Sequence, residues 1–302
     1  MAITSSNFAK LLWPGINSIY GKAYAEHSVE YTDLFDEFKS GKAYEEDLGV
    51  SSFGLASRKG EGNGIAYDEE NQAFLTRYNH IVYGLGFVIT REMVEDDQYG
   101  VVGDRRSRAL AFSMRQTKET VGANVYNRAF NSTYAGGDGL EMCSTAHLNH
   151  SGGTWANELA TAADLSEASL EQACIDIMKF TNDRGLKISV MPQSLIIPSD
   201  LVFEAERILQ SPYRVGTADN DVNALKQMGK FPGGVKVNHY LTDADAWFIR
   251  TNVQDGMKCF NRRPMSFALD NDFDTENAKF KATERYSFGW TDPRAIFGSP
   301  GA

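Results

Sequence analysis

Cysteine is scarce in this chain of 302 residues, and it comes in an odd number: Cys143, Cys174 and Cys259. Three thiols so far apart make no disulfide framework and fit a reducing compartment, where they are expected to be inert. No run of about 18 apolar residues occurs, so nothing reads as a membrane-spanning helix. The first residues, MAITSSNFAKLLWPG, lack the basic start and long apolar stretch of a secretory signal. Without that route, the acceptor-like triplets at Asn131 and Asn149 have no access to glycosylation machinery. Positive charge is also in deficit, with 30 Lys and Arg against 40 Asp and Glu and a formal net charge of −10. A sequence-independent nucleic-acid binder needs the reverse balance to displace counterions from phosphates. Catalytic signatures are missing too. There is no phosphate-binding G-x-x-x-x-G-K and no nucleophile elbow, and the five histidines (His27, His80, His147, His150, His239) stand in no specific catalytic context. Cys143, His147 and His150 carry zinc-ligand chemistries in a C-x3-H-x2-H run, but no second Cys pair or His cluster completes a site, so neither a metal nor a cofactor is expected.

What is present is enough apolar material, 42%, for one large or two modest cores. The first 35 residues mix apolar and polar positions without a sustained helical period and read as an extended arm, with a short helix accommodated between Ser18 and Tyr31 and with Trp13, Tyr20, Tyr31 and Phe35 as anchors. From Asp36 to Tyr83, strand-like runs alternate with glycine and charge. The stretch from Ser57 to Gly64 is too polar to pack, and Ala73, Leu75, Arg77, Asn79, Ile81 and Tyr83 alternate as in a strand, which predicts a long hairpin. An arm of about fifteen residues reaches roughly 50 Å, farther than one subunit needs. The spacing of Leu110, Met114, Thr117, Val121, Val125 and Ala129 predicts a helix over Asp104 to Phe130, a rod of about 40 Å with its arginines and Lys118 mostly on the solvated side.

Beyond it, Ser166 caps a helix, without a Glu-completed box, that points Leu170, Cys174, Ile177 and Phe180 inward. A strand, MPQSLIIP, precedes a helix from Asp200 to Leu209 that Pro212 prevents from continuing. The polar stretch from Tyr213 to Gly234 reads as loop, strands return in VKVNHYL and AWFIRTN, and the last fifty residues look mostly β. Alternation of helix and strand from Ser166 to Thr251 predicts an α/β lobe inside an α+β whole.

Five phrases carry a family likeness: MCSTAHLNHSGGTWAN (Met142 to Asn157), DLSEASLEQACIDIMKFTNDRG (Asp164 to Gly185), LIIPSDLVFEAERIL (Leu195 to Leu209), YLTDADAWFI (Tyr240 to Ile249) and FGWTDPRAIFGS (Phe288 to Ser299). Read in order, and preceded by YNHIVYGLGFVITREMVEDD (Tyr78 to Asp97), they resemble the major head subunit family of Mu-like phages and prophages. The resemblance implies a Hong Kong 97-like major capsid fold. Residues 1–35 would be its N-terminal arm, 36–83 its extended β-hairpin loop, 84–165 and 252–302 its peripheral domain with the spine helix at 104–130, and 166–251 its α/β axial domain. It further implies a virion protein of a tailed bacteriophage, not an enzyme, assembling in the host cytoplasm with copies of itself into pentamers and hexamers of an icosahedral head. Such a head encloses double-stranded DNA without gripping its sequence, and an acidic shell is compatible with that.

Partners implied by the resemblance are a separate scaffolding protein, a portal and decoration proteins. Inter-subunit contacts are expected at Trp13 and Tyr20, at Arg58, Lys59 and Glu61 on the hairpin tip, at Arg105 and Arg106, and at Arg214, Asp219 and Lys226. Gly84, Gly86 and Gly103 are candidate hinges between the curvatures of pentamer and hexamer. Two rivals remain: an encapsulin-like shell packaging a cargo protein, and a soluble α/β hydrolase or transferase with a concave polar pocket and the glycine-rich tip as its lid. With no long charged helical prefix, the subunit is expected to keep residues near its own start in mature heads. N-terminal sequencing of heads tests this, and a cut near residue 50 would contradict it.

Overall fold

The computed structural model describes residues 8–95, 99–149, 151–213, 221–272 and 276–302. Its first half runs α1 (Phe8–Glu26), α2 (Tyr31–Leu34), β1 (Asp36–Lys39), β2 (Tyr44–Val50), β3 (Gln72–Asn79), β4 (Ile81–Ile89), α3 (Arg91–Glu95) and α4 (Tyr99–Asn127). A short ribbon, β5 (His147–Leu148) with β6 (Thr154–Trp155), leads to α5 (Glu167–Met178), β7 (Pro192–Ile197), α6 (Val202–Gln210), α7 (Ala224–Gln227), β8 (Val235–Val237) and β9 (Trp247–Thr251). Two long strands, β10 (Met257–Asn271) and β11 (Ala278–Trp290), precede the terminal β12 (Ile296–Ser299).

One sheet has the order β1-β10-β11-β4, with β1 parallel to β10 and the other pairs antiparallel. The long helix α4 lies on it because residues spaced three and four apart, Leu110, Ala111, Met114, Ala123 and Tyr126, present one buried face. Helix α1 fills the remaining space. Its Tyr20 and Ala23 join Leu110, Ala111, Met114, Phe267, Phe280 and Ala282 in a single core, and Tyr20 stacks on Phe267 with ring centroids 4.4 Å apart. The chain from Phe8 to Glu26 is therefore helical where an extended arm was expected, and Tyr20 and Ala23 in its second half pack within their own subunit. Tertiary contact with α4 supplies what a weak local pattern does not.

The second sheet, β12-β9-β7-β8, carries α5 and α6 on a core built around Trp247, Ile249, Leu195, Leu170 and Phe297. Ser166 starts α5 with a capping box that Ser169 completes, its hydroxyl accepting the Ser166 backbone N–H, where the sequence suggested a cap alone. The four inward positions expected of this segment, Leu170, Cys174, Ile177 and Phe180, are all buried. One turn of helix, α7, interrupts the region read as loop, its first turn capped by the Asn223 side chain. Since β12 pairs with β9, the C-terminal strand returns to the second sheet, and a division at residue 252 does not follow the hydrogen bonding. A third cluster, with Leu34, Phe35, Tyr126, Phe248, Met257 and Cys259, joins the two sheets.

The expected hairpin is formed by β2 and β3 alone, from Tyr44 paired with Asn79 to Val50 paired with Gln72. The alternation that continued through Tyr83 belongs to two strands, broken at His80: β3 faces β2, while β4 joins the main sheet. Gly84 and Gly86 lie within β4, paired to Thr283 and Lys281 of β11, and a Cβ on Gly86 would meet the Phe280 carbonyl oxygen at 2.5 Å. Gly103 lies within α4. The substitution Gly86→Val is expected to lower stability by about 1–3 kcal/mol, the usual cost of overpacking, as read by denaturant unfolding.

Candidate functional site

Two features dominate the surface and interior: a buried charged seam under α4 and a hairpin rooted on β10 and β11. The seam begins with Arg115, Lys118 and Glu119, which occupy the inward stripe of α4 and are 8%, 7% and 1% exposed, contrary to the solvated side expected for the cations. The Glu119 carboxylate accepts the backbone N–H of Tyr31 at 2.8 Å and of Glu30 at 3.2 Å, so it anchors the start of α2 and sets the chain on course for β1. Burial holds its carboxyl above the usual carboxylate range. Arg115 lies over the Tyr24 ring, 4.0 Å from its centroid, and donates to the Tyr24 carbonyl. Tyr24 in turn donates its hydroxyl to Glu284 of β11. Lys118 donates to Asn261 Oδ1 at 3.0 Å and lies 3.8 Å from Glu284.

The hairpin's base is fixed by polar side chains. His80 bridges Ser287 (2.9 Å) and Ser40 (3.0 Å), Tyr78 shares a hydrogen bond with Thr291 (2.7 Å), and Asp47 receives both Thr291 and Lys258. Burial, with Arg285 nearby, pushes the His80 imidazole below its ordinary value. Beyond the seven and eight residues of β2 and β3 the chain is irregular from 51 to 71, pinned where Arg184 pairs with Asp68 at 2.7 Å. Past that clamp its apolar side chains face solvent, with Leu55 83%, Ile65 68% and Tyr67 95% exposed. A second apolar surface is the edge strand β4, where Ile81, Val82, Leu85 and Val88 are exposed and Arg106 donates to the Val88 carbonyl at 2.7 Å.

The candidate contact residues divide accordingly. Arg58, Lys59 and Glu61 are exposed on the irregular loop, Arg105 and Arg106 on α4 and Lys226 on α7. Tyr20 is corrected: it is 0% exposed within its own subunit and has no surface to offer. Trp13 lies on α1 but its side chain is outside the described residues, as are Arg214, Asp219 and His150 altogether. Among the described residues the zinc-like run forms no metal cluster. Cys143 is buried in apolar surroundings that push its thiol up, and His147 spends both ring nitrogens on Asp138 (2.6 Å) and Asn157 (3.0 Å). Burial also raises Cys174 to about 11 and Cys259 to about 12, so neither is a thiolate. The missed residues, Arg115, Lys118 and Glu119, had one legible signal: they continue the three-and-four spacing of the buried stripe.

The body of sheet and long helix thus carries a hairpin and an edge strand that both display apolar side chains. The chain belongs to the phage capsid protein family, whose model matches residues 75–298, and is accordingly a structural protein of the capsid and not an enzyme. Among solved structures, the fold is shared with the procapsid of bacteriophage JBD30, at 13% identity and a TM-score of 0.55 over 98% of this chain and 76% of that one. It is shared with a chain of Mycobacterium phage Che8, at 10% identity and a TM-score of 0.51 over 90% of each. It is also shared with the virus-like particle from Pyrococcus furiosus, at 10% identity and a TM-score of 0.50 over 94% of this chain and 97% of that one. No curated protein matches the sequence. The Hong Kong 97-like α+β expectation stands.

Two measurements follow from the seam and the root. Glu119→Ala strands two amide N–H groups and is expected to cost about 1–3 kcal/mol in chemical unfolding. For His80, a folded-state value lowered beneath its unfolded one means that its contribution is complete above the unfolded value of about 6.5 and is lost as pH falls through it. Unfolding midpoints of the free subunit should therefore drop between about pH 7 and 5, and drop less in His80→Gln.

Proposed function

We propose that the chain is the major subunit of an icosahedral tailed-phage head, self-assembling through pentamers and hexamers into a shell around double-stranded DNA. The observation that carries this is the capsid-family match over residues 75–298 on a body that leaves an apolar hairpin tip and an apolar strand edge uncovered. Monomers rarely expose such surfaces without a partner. A projecting tip that lies over a neighbour adds contacts without enlarging the core, and several interfaces of about 1,600 Å² per subunit combine by avidity into a durable container. The charge of −10 is consistent with enclosing DNA without binding it.

In this reading the lobe with the second sheet meets its copies at the capsomer centre, and the sheet-and-spine lobe meets them at its edges. Arg58, Lys59, Glu61, Arg105, Arg106, Arg214, Asp219 and Lys226 are the proposed contact residues. Assembly takes place in the bacterial cytoplasm with a separate scaffolding protein and a portal, and decoration proteins bind the finished surface. Deletion of residues 52–64, outside every helix and strand, is expected to preserve the subunit's circular dichroism and to abolish closed particles in negative-stain microscopy. Normal heads from that variant would remove the role given to the tip. Particles filled with a cargo protein instead of DNA would move the chain to the encapsulin-like class.

A further inference from the structure

The hairpin tip carries the only Asn-Gly dipeptide of the chain, Asn63–Gly64, inside the run Gly60, Glu61, Gly62, Asn63, Gly64. Residues 55–70 are all exposed and lie outside every helix and strand. The Asn63 N–H closes a turn on the Gly60 carbonyl at 3.2 Å, with Gly62 at a φ of 78°. Among the described residues neither the Asn63 side chain nor the Gly64 N–H has a hydrogen-bond partner. The carboxamide lies over Gly60, where an added Cβ would come 2.9 Å from Nδ2, and a Cβ on Gly64 would meet nothing within 4 Å.

An asparagine side chain persists as long as its carboxamide carbon is kept from the backbone nitrogen of the next residue. A side chain on that residue hinders the approach, and a hydrogen-bonded backbone forbids it. Glycine on a free loop removes both obstacles, and the flanking glycines let the chain sample the closing geometry. Other asparagines in turns are tied down. Asn131 Oδ1 accepts the Thr133 N–H at 3.0 Å, and Asn182 Oδ1 accepts those of Arg184 and Leu186 at 3.0 and 2.9 Å.

We propose that Asn63 is a site of spontaneous deamidation in the free subunit, and that assembly shields it. Hydroxide removes the Gly64 amide proton, the bond from that nitrogen to Asn63 Cγ forms, and the Cγ–Nδ2 bond breaks. Nδ2 takes a proton from water and leaves as ammonia, which returns the hydroxide. Water then opens the cyclic imide at one carbonyl or the other and gives aspartate or isoaspartate. The sum is one water taken up and one ammonia released. Either product sets a carboxylate two residues from Glu61, and isoaspartate also reroutes the main chain through the side-chain carbon. The shielding rests on the shell reading proposed above, in which the tip lies on a neighbouring copy: packing there arrests the closing motion. The fraction converted in a particle then records how long its subunits stood free.

Peptide mapping of the warmed, full-length free subunit tests this, with the tryptic peptide 60–77 as the reporter. That peptide is expected to gain, with time and faster at alkaline pH, the mass of an NH2 exchanged for OH, localised to Asn63 by fragmentation. Isoaspartate methyltransferase should label part of the product. Gly64→Ala, which the open space around Gly64 accommodates, should slow the conversion by roughly tenfold or more. An unchanged Asn63 under conditions that convert a free peptide of the same sequence would overturn the proposal, as would preferential conversion of Asn71. Equal rates in wild type and Gly64→Ala would overturn the cyclic route. Closed particles, verified by negative-stain microscopy, should convert more slowly than free subunits. Equal rates in the two would overturn the shielding and leave the modification site standing.

Discussion

Everything in the larger lobe depends on the contact between the spine helix and the strands beneath it, and that contact is partly ionic. Arg115, Lys118 and Glu119 are carried by α4 into a region that β11 meets with Glu284 and α1 with Tyr24. Burying charges is unfavourable unless each is compensated, so their presence in a core is weak evidence of added stability. Their effect is one of registry. Glu119 can accept the N–H groups of Glu30 and Tyr31 only if α2 sits at one height on the spine, and that height fixes where β1 pairs with β10. Lys118 fixes the same helix against Asn261. An apolar stripe alone would tolerate sliding by a turn.

Registry at the spine is inherited by the surfaces proposed to face other subunits. The hairpin leaves the body beside β1, and its root is held on β10 and β11 through His80, Tyr78 and Asp47. A displacement of the sheet beneath the helix would therefore swing the tip, many residues away, by a larger amount. A rigid root with an irregular, apolar end suits an element that must find a neighbour in the same place on every copy. The second lobe is built differently. Its core around Trp247 and Leu170 is conventionally apolar, and it is tied to the first by β12, which crosses back to pair with β9.

Much of this was legible in the residues. The spacing of Leu110 and Met114 gave the spine to within a few residues, the Gly-rich polar stretch marked the hairpin's end, and Ser166 marked the start of α5. The family phrases supplied the order of the parts. What escaped was whatever tertiary contact decides. Helix α1 has little periodicity of its own and exists against α4, so Tyr20, expected at an interface, lies in the core. The spacing of Arg115, Lys118 and Glu119 matched the buried stripe, but residue type assigned the two cations to solvent. The break at His80 could not be seen because β3 and β4 share one alternation while pairing with different partners. Of the candidate contacts, exposure alone can be read from a single subunit.

The central claim is that the hairpin tip and the β4 edge are covered by copies of the same chain. Hydrogen–deuterium exchange, compared between the free subunit and closed particles, tests it most directly. The account predicts that amides in residues 51–71 and along β4 exchange quickly in the free subunit and become protected in the particle, while the spine helix is slow in both. Equal, rapid exchange of those two segments in both states would contradict it.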